Sequence, residues 1–357
     1  MSKPNDDFYL TLIDDKAFWR SLALIGFILA IVIIVGNATL LYVTFKDPRK
    51  SLRLSPPVLL ITNLSASDFL LGLLNVFLVA LRDAYRSSLV HMPFVEAFKT
   101  VMYTVLSATL FVSSYSIIAL SITCYVAISR PVEYKSIITR RRLKIYIAVM
   151  WLISIAMSGF PATSIPESTY TLIYLHTHAS LPTIFLSMIY VKILRALAGQ
   201  TRKLQHDRYD SIASHALVRE RRMLIASIIV LVLFYITYIP QYVTLHLLYL
   251  CKACQQSITF HKIDVALSRF LYINSAINPF IYAWRIPKYR RAFYDCLQSF
   301  FGKGKVTAHR RSVVFLASRR QSILIAPCAG EGLVKVCRIT KRTPSEQLIN
   351  NYSPKWR

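Results

Sequence analysis

Seven long apolar stretches constrain the fold of this chain more than any other feature of its sequence. A helix rises ~1.5 Å per residue, so about 20 apolar residues are needed to cross the roughly 30 Å hydrocarbon core of a bilayer. Stretches of this kind, some with polar interruptions, lie at residues 21–45, 57–81, 98–128, 145–165, 170–197, 223–250 and 264–284. The sequence therefore predicts an all-α fold with seven membrane-spanning helices, numbered span one to span seven below.

The composition supports a membrane protein over a nucleic-acid-binding protein. The chain is 55% hydrophobic and only 17% charged, yet its formal net charge is +26. Soluble domains carry about 25% charged residues. A strongly basic chain can bind nucleic acid, but the apolar blocks have no use in such a protein, so we expect no nucleic-acid partner.

The distribution of Lys and Arg predicts the orientation of the chain in the membrane. With the N-terminus outside, the three inner loops carry 18 Lys and Arg residues and the three outer loops carry 6. Cytoplasmic loops are the ones enriched in these residues. We therefore expect a multi-pass protein of the plasma membrane with an extracellular N-terminus, a cytoplasmic C-terminus and anionic lipid at its inner face.

Four regions follow from these patterns. We predict an extracellular N-terminus at 1–20, the bundle at 21–284, an amphipathic juxtamembrane helix at 285–300 and a basic, largely disordered cytoplasmic tail at 301–357. The first 20 residues are polar and acidic rather than basic and then apolar, so span one is expected to be a signal anchor and not a cleaved signal peptide.

A carboxylate near the middle of span two is the first candidate for function. Asp68 is expensive in hydrocarbon unless it faces the bundle interior and finds partners there. Oxygen-bearing side chains fall at similar depth on spans one, three and seven: Asn37, Ser113, Asn274, Ser275 and Asn278. Such a set is suited to a small cation such as sodium, the only cofactor the sequence suggests, or to a structural hydrogen-bond network without an ion.

Prolines mark three further spans. Pro182, Pro240 and Pro279 each remove one backbone hydrogen bond and free a carbonyl. In span seven, Asn278 can repair the broken ladder beside Pro279, and Tyr282 follows near the cytoplasmic end.

These motifs resemble the rhodopsin-like (class A) G-protein-coupled receptors. The resemblance covers roughly residues 21–300, and its motifs are "GN" at 36–37, "NLSASDF" at 63–69, Trp151, Pro182 with Tyr190, "FYITYIP" at 234–240, and "NPFIY" at 278–282 followed by "IPKYRRAFYDCLQSFF". The resemblance implies a receptor that senses a ligand outside and promotes guanine-nucleotide exchange on a heterotrimeric G protein inside.

One motif departs from the family pattern at the end of span three. The family has an acid, an arginine and an aromatic residue there, and this chain has Thr123, Cys124 and Tyr125. Cys124 cannot act as a charged clamp, so coupling is expected to be altered or constitutive; alternatively Cys124 is a tolerated replacement and Arg130 carries the interface. Glu220 matches the acid of span six. The resemblance also assigns Tyr190, Phe234, Pro240, Pro279 and Tyr282 to the activation and G-protein face.

The cysteines form a second departure. Lys99 stands where most relatives have the cysteine of span three, so the bridge to the second outer loop cannot form. Cys251 and Cys254 lie outside and are expected to form a disulfide, since zinc needs more ligands. Cys296 is either palmitoylated or an unreactive thiol. The absent bridge, the short second loop and the CxxC resemble the melanocortin branch, whose relatives include adenosine and lipid receptors.

The resemblance places the ligand in the outer half of the bundle. Leu106 occupies the position where amine receptors keep an aspartate, which disfavours a monoamine. A small molecule such as a lipid or a nucleoside-like compound, or a small peptide, remains compatible with an aromatic, apolar lining. The predicted lining comprises Tyr103, Leu106, Leu110, Tyr174, His178, Tyr238, Gln241, Tyr242 and Tyr272.

The tail and the absence of a catalytic motif complete the prediction. Ser312 and Ser322 follow arginine pairs, the pattern that basic-directed kinases prefer, and phosphates at these serines would form binding sites for arrestin.

No nucleophile stands beside a base and no phosphate loop is present, so we do not expect an enzyme. A non-signalling scaffold or ligand scavenger is the main alternative. A transporter is disfavoured because Asp68 is the only charge expected fully within the membrane.

Overall fold

The computed structural model of the protein describes residues 15–47, 52, 55–89, 98–158, 173, 176–206, 211–301, 315–318 and 321–324. The helices in these ranges are α1 (Lys16–Lys46), α2 (Pro56–Leu71), α3 (Phe77–Arg86), α4 (Lys99–Ser129), α5 (Tyr134–Ile137), α6 (Arg140–Ser158), α7 (Leu181–His206), α8 (Ser211–Leu250), α9 (Lys252–Gln255), α10 (Ile258–Phe270), α11 (Tyr272–Arg285) and α12 (Pro287–Phe301). Two π-helical segments, Gly72–Val76 and His176–Ser180, precede α3 and α7.

The predicted spans correspond to these helices with different ends. Span one is α1, span three is α4, span four is α6 and span six is α8. Span two joins α2, the π segment and α3, and span five is α7 with the π segment before it. Span seven is divided at Leu271 into α10 and α11. The predicted loop between spans four and five lies outside the described residues.

Five of the described helices are long and apolar enough to cross a membrane: Lys16–Lys46, Pro56–Arg86, Val101–Ser129, Leu181–Gly199 and Ile228–Leu250. The other two predicted spans fall short for visible reasons. Span four begins with the cationic run Arg140 to Lys144, which lowers its mean hydropathy, and span seven is divided into helices of 13 and 14 residues.

The distribution of apolar side chains on span one fits a lipid environment. Leu24, Ile28, Ile31 and Val35 are 57–62% exposed on its outer face, whereas Asn37 on the opposite face is fully buried. A soluble protein does not leave so wide an apolar surface open to water. The pattern is apolar outside and polar inside, which is what a membrane bundle requires.

Local sequence signals set several helix ends. The Asp15 carboxylate caps α1 by accepting a hydrogen bond from the Phe18 backbone N–H at 2.9 Å. Pro56 opens α2, where its missing N–H has no cost. At the other end of the bundle, Ile286 is extended and Pro287 begins α12, so the chain turns sharply out of span seven.

Small residues bring spans one and two into close contact. A Cβ on Gly26 would lie 2.9 Å from the Ala80 Cβ, and a Cβ on Gly72 would lie 2.8 Å from a methyl group of Ile33. Since no larger side chain fits at these points, the backbones approach closely. This contact holds the helix that carries Asp68 against span one.

The second of the chain's two units is the tail, 302–357. Its described part is an antiparallel pair of strands, β1 (Phe315–Ser318) and β2 (Gln321–Leu324), with Phe315 paired to Leu324 and Ser318 paired to Gln321. The all-α prediction is confirmed for the bundle, and these two short strands are the exception to it.

Candidate functional site

Asp68 lies fully buried in the bundle and receives hydrogen bonds from two other spans. Its Oδ1 accepts from the Ser275 hydroxyl at 2.7 Å and from the Ser113 hydroxyl at 3.4 Å, and its Oδ2 accepts from the Asn278 amide at 2.9 Å. Ser67 lies 3.0 Å from Ser113 and extends the group. The carboxylate therefore joins spans two, three and seven, as a buried charge requires.

The other two predicted members lie nearby without a described hydrogen bond to the carboxylate. Asn37 donates to the carbonyls of Ile33 at 2.9 Å and Ser275 at 3.3 Å, so span one meets the group through the backbone of span seven. Asn274 is 4% exposed. The side-chain oxygens of Asn37, Asn274 and Asn278 are buried and have no hydrogen-bond partner among the described residues.

A second polar link joins spans two, three and four. The Asn63 amide donates to the Ser116 hydroxyl at 2.9 Å, and its oxygen accepts from the Trp151 indole at 2.9 Å. The sequence marked Asn63 and Trp151 only as parts of motifs; Ser116 carried no signal. These bonds satisfy a buried amide and fix the register of three helices.

The changed motif of span three is buried. Cys124 is 4% exposed and Thr123 is 2% exposed, with the Thr123 hydroxyl bonded to the Leu120 carbonyl at 2.7 Å. Arg130 follows the end of the helix, is exposed, and pairs with Glu133 at 3.5 Å. Tyr125 is half-buried. The Glu220 side chain lies outside the described residues.

The remaining residues of the predicted activation face pack in the core of the bundle. Phe234 and Tyr238 stack with ring centroids 4.1 Å apart on span six. Tyr190 lies 3.4 Å from the Ser121 hydroxyl, which donates toward it. Tyr282 is 1% exposed and its hydroxyl has no hydrogen-bond partner among the described residues. Pro240 and Pro279 lie inside α8 and α11.

The predicted ligand-lining residues differ in exposure. Tyr103 is 54% exposed, Leu106 and Tyr242 are half-buried, and four are buried: Leu110, Tyr238, Gln241 and Tyr272. Tyr174 and the His178 side chain lie outside the described residues. The Gln241 amide donates to Asp264 at 2.8 Å, while its buried oxygen has no partner among the described residues.

A hydrogen-bonded group that the sequence did not single out surrounds Tyr242. The Ser180 hydroxyl donates to the Tyr242 hydroxyl at 3.0 Å, and His176 Nδ1 lies 3.0 Å from Ser180. The His246 ring lies 4.1 Å from the Tyr242 ring and 5.6 Å from that of His176. Spans five and six thus share a polar, aromatic surface.

A buried ion pair corrects one sequence expectation. Arg269 is one of the six Lys and Arg residues counted above for the outer loops; it lies in α10 of span seven with its side chain 15% exposed, and Asp83 in span two is fully buried. The guanidinium donates two bonds to the carboxylate, both at 3.0 Å. Asp68 is therefore not the only buried carboxylate. The available sequence signal for this ion pair was Asp83 in "LRDAYR", an acid that lies between two arginines at the end of an apolar stretch.

The cysteines and the tail serines are placed as follows. Cys251 and Cys254 are joined by a disulfide. Cys296 faces inward from α12 at 8% exposure, and burial raises the pKa of its thiol. Ser322 lies in β2, and Ser312 lies outside the described residues. Within the described ranges no three His, Cys, Asp or Glu side chains are grouped for a metal.

Comparison with known proteins identifies the family. The sequence profile of the 7 transmembrane receptor (rhodopsin family) matches residues 36–282. The chain belongs to this family. It is therefore a multi-pass membrane receptor, as predicted, and the family consists of receptors rather than enzymes.

Relatives of this rhodopsin-family receptor are distant. It is 22% identical to the dog adenosine receptor A2a over 271 residues, which cover 67% of this chain and 63% of that receptor. It is 25% identical to a GQ-coupled rhodopsin of the scallop Mizuhopecten yessoensis, over 73% of this chain and 56% of that protein. The crystal structure of squid rhodopsin shares the fold, with a TM-score of 0.69 at 20% identity, over 82% of this chain and 89% of that one.

Proposed function

We propose that this receptor resides in the plasma membrane with its N-terminus outside, binds an extracellular ligand in the outer half of its bundle, and activates a heterotrimeric G protein inside. The carrying observation is the group around Asp68, which connects spans two, three and seven through charge-assisted hydrogen bonds. A network of this kind has more than one arrangement of donors, so it can differ between a resting and an active bundle.

The outer half of the bundle offers hydrogen bonds to a ligand. The side-chain oxygen of Gln241 is a buried acceptor with no partner among the described residues. The next residue, Tyr242, is linked to Ser180 and through it to His176 by hydrogen bonds. Leu106 supplies no counter-ion for an amine. A ligand with an aromatic or apolar body and at least one N–H or O–H donor suits these groups: a small molecule, a lipid or a small peptide.

A sodium ion suits the oxygens at the centre of the bundle. Carboxylate, hydroxyl and amide oxygens are hard ligands of the kind that such cations prefer. Asp68 supplies the charge, Ser113 and Ser275 supply hydroxyls, and the unpartnered oxygens of Asn274 and Asn278 are buried in span seven. When bound, the ion would neutralise the carboxylate; the protein groups hold the three spans in register around it.

Coupling is expected to be altered by Cys124. A buried, uncharged side chain cannot form the ion pair that holds the family's arginine at rest, so we expect raised basal nucleotide exchange. The test is exchange on purified G proteins by the receptor in nanodiscs, comparing the natural chain with Cys124→Arg and Cys124→Ser. Arginine should lower basal exchange and serine should not. An unchanged exchange profile with arginine at this position contradicts altered coupling.

Cys124 also favours a second candidate, a scaffold or ligand scavenger that does not signal. Absence of nucleotide exchange on every G-protein class, together with stabilisation of the receptor by a compound in a thermal screen, would support that candidate.

Arrestin and receptor kinases are proposed partners of the tail through Ser312 and Ser322. Accessibility of an N-terminal epitope on intact cells, with a C-terminal epitope reached only after permeabilisation, tests the orientation.

A further inference from the structure

Two histidine side chains from neighbouring spans lie side by side next to Tyr242. His176 opens the π-helical segment before α7, and His246 lies one turn after Tyr242 in α8. The centres of the two imidazole rings are 5.6 Å apart, and the ring planes are inclined by 62°. Since His176 is exposed and His246 is half-buried, the pair is accessible to a small ion.

Hydrogen bonds determine which nitrogen of each ring carries the proton. His246 Nδ1 lies 2.9 Å from the Tyr242 carbonyl oxygen, which can only accept, so this nitrogen is the protonated one in the neutral ring. The Ser180 hydroxyl donates to the Tyr242 hydroxyl, so its oxygen is left to accept from His176 Nδ1 at 3.0 Å. Each neutral ring therefore keeps its lone pair on Nε2, and neither Nε2 has a hydrogen-bond partner among the described residues.

This arrangement matches that of imidazoles which share a metal ion. A ligating histidine typically donates its other ring N–H to a carbonyl or a similar acceptor, which fixes the ring and its tautomer. A zinc ion ~2.1 Å from an imidazole nitrogen lies about 3.2 Å from the centre of that ring, so two imidazoles on one tetrahedral zinc have centres about 5.2 Å apart. The observed separation of 5.6 Å reaches this value with a small rotation of either side chain.

We propose that His176 and His246 bind one divalent transition-metal ion of the zinc class between spans five and six, with Ser180 and Tyr242 as positioning residues. Imidazole nitrogen suits zinc, copper and nickel, whereas Mg²⁺ and Ca²⁺ prefer oxygen ligands. Two protein ligands leave the other positions of the ion to water, so it binds reversibly and not as a closed structural ion. The bound ion would link span five to span six, and its binding requires neither the proposed ligand nor a G protein.

The test uses the full chain in nanodiscs with Cys328→Ser and Cys337→Ser, since the thiols of the tail would also bind zinc. Zinc chloride should raise the melting temperature, a chelator should reverse the rise, and magnesium chloride should cause none. His176→Gln and His246→Gln should each remove the zinc effect, and the double variant should lose no more than either single variant, because one ion needs both rings. Ser180→Ala, which removes the acceptor of the His176 N–H, should weaken zinc affinity roughly tenfold.

His309→Gln is the control, since it removes a histidine of the tail, and it should retain the whole zinc effect. Copper(II) gives an independent count: its electron spin-echo modulation should show two imidazoles per ion before any histidine is replaced, and one in either single variant. No zinc effect, a zinc effect that survives in His176→Gln or His246→Gln, or its loss in His309→Gln would each overturn the proposal. A copper signal with one imidazole or none before any histidine is replaced would overturn it as well. Melting transitions recorded with the chelator show that the variants are folded.

Discussion

The hydrogen bond between Asp68 and Asn278 can reverse its direction without movement of either backbone when asparagine replaces Asp68. Asp68 accepts from the Asn278 amide, and the Asn278 oxygen has no partner among the described residues. In Asp68→Asn, rotating the Asn278 amide by half a turn would give the new amide an acceptor, while Ser275 still donates to the retained oxygen. The substitution should therefore remove the charge and leave the packing intact.

We expect Asp68→Asn to abolish any sodium dependence of stability. A ligand that binds the folded state raises its stability with the logarithm of ligand concentration. The melting temperature of the purified natural receptor should rise when choline chloride is replaced by sodium chloride, and that of the variant should not. Ser65→Ala is the control, because Ser65 is buried on the same helix and its hydroxyl donates to the Ile61 carbonyl of that helix rather than to Asp68. An equal sodium shift in Asp68→Asn contradicts the sodium site.

The buried ion pair of Asp83 and Arg269 gives a separate prediction about stability. Arg269→Gln leaves a fully buried carboxylate without its cation, which costs roughly 3–5 kcal/mol. Adding Asp83→Asn should recover most of this loss, since the carboxylate charge that lost its partner is then removed as well. Thermal unfolding of the two single variants and the double variant measures the coupling. Additive losses would mean that the pair does not stabilise the fold.

At the scale of the helices, close approach of spans one and two depends on Gly26. A Cβ there would meet both the Cβ and the Cα of Ala80, at 2.9 and 3.4 Å, and Ala80 has no side chain that can rotate away. Gly26→Ala should therefore separate the helices and destabilise the receptor by roughly 1–3 kcal/mol.

Gly199 is the matched control for this substitution because a Cβ there meets nothing within 4 Å. Gly199→Ala should be neutral or stabilise span five by about 0.5–1 kcal/mol, through helix propensity alone. The melting temperature of Gly26→Ala should fall, and that of Gly199→Ala should not fall. A similar rise in both would show that helix propensity, and not interhelical contact, controls the result.

Burial of Cys296 gives a prediction for α12. Because burial raises the pKa of the thiol, its thiolate fraction at neutral pH is small. In a chain with Cys328→Ser and Cys337→Ser, maleimide should label Cys296 on the order of ten times more slowly than the thiol of Tyr294→Cys/Cys296→Ser. Tyr294 is 59% exposed on the same helix. Equal rates would indicate that α12 does not hold Cys296 inward.

The sequence predicted elements whose signals are local and missed those that depend on tertiary contacts. Apolar blocks of spanning length and the "NPFIY" motif were enough for the helix count, and depth along each block was enough to group Ser113, Ser275 and Asn278 with Asp68. Arg269 was placed in a loop because a cation near a span end looks exposed until its partner on another span is known. The division of span seven at Leu271 and the π segment Gly72–Val76 have no comparable sequence signal.

At the scale of the whole molecule, charged side chains join the first, second and last spans at the end of the bundle where span one begins. Asp15 lies 2.7 Å from the Lys262 ammonium, Asp83 binds Arg269, and the Arg86 guanidinium lies 4.8 Å from the centre of the Trp19 ring. The only disulfide in the described residues is local to residues 251–254 and joins no two spans. Among the described residues these ionic contacts, and not a covalent bridge, therefore connect the ends of spans one, two and seven that meet here.

The Asp15–Lys262 contact makes this arrangement sensitive to acid. The hydrogen bond from Lys262, followed by that from the Phe18 backbone, lowers the pKa of Asp15 below its usual 3.8. A lowered folded-state pKa means that the contribution to stability is complete above the unfolded value and is lost as the pH falls through the folded one. The natural receptor should therefore melt at a higher temperature than Asp15→Asn at pH 6, and the difference should shrink below pH 3.8. Because both side chains are partly exposed, salt should reduce the difference at pH 6 as well. The absence of any difference at pH 6 would assign the effect of Asp15 to helix capping alone, since an asparagine that replaces it caps at every pH.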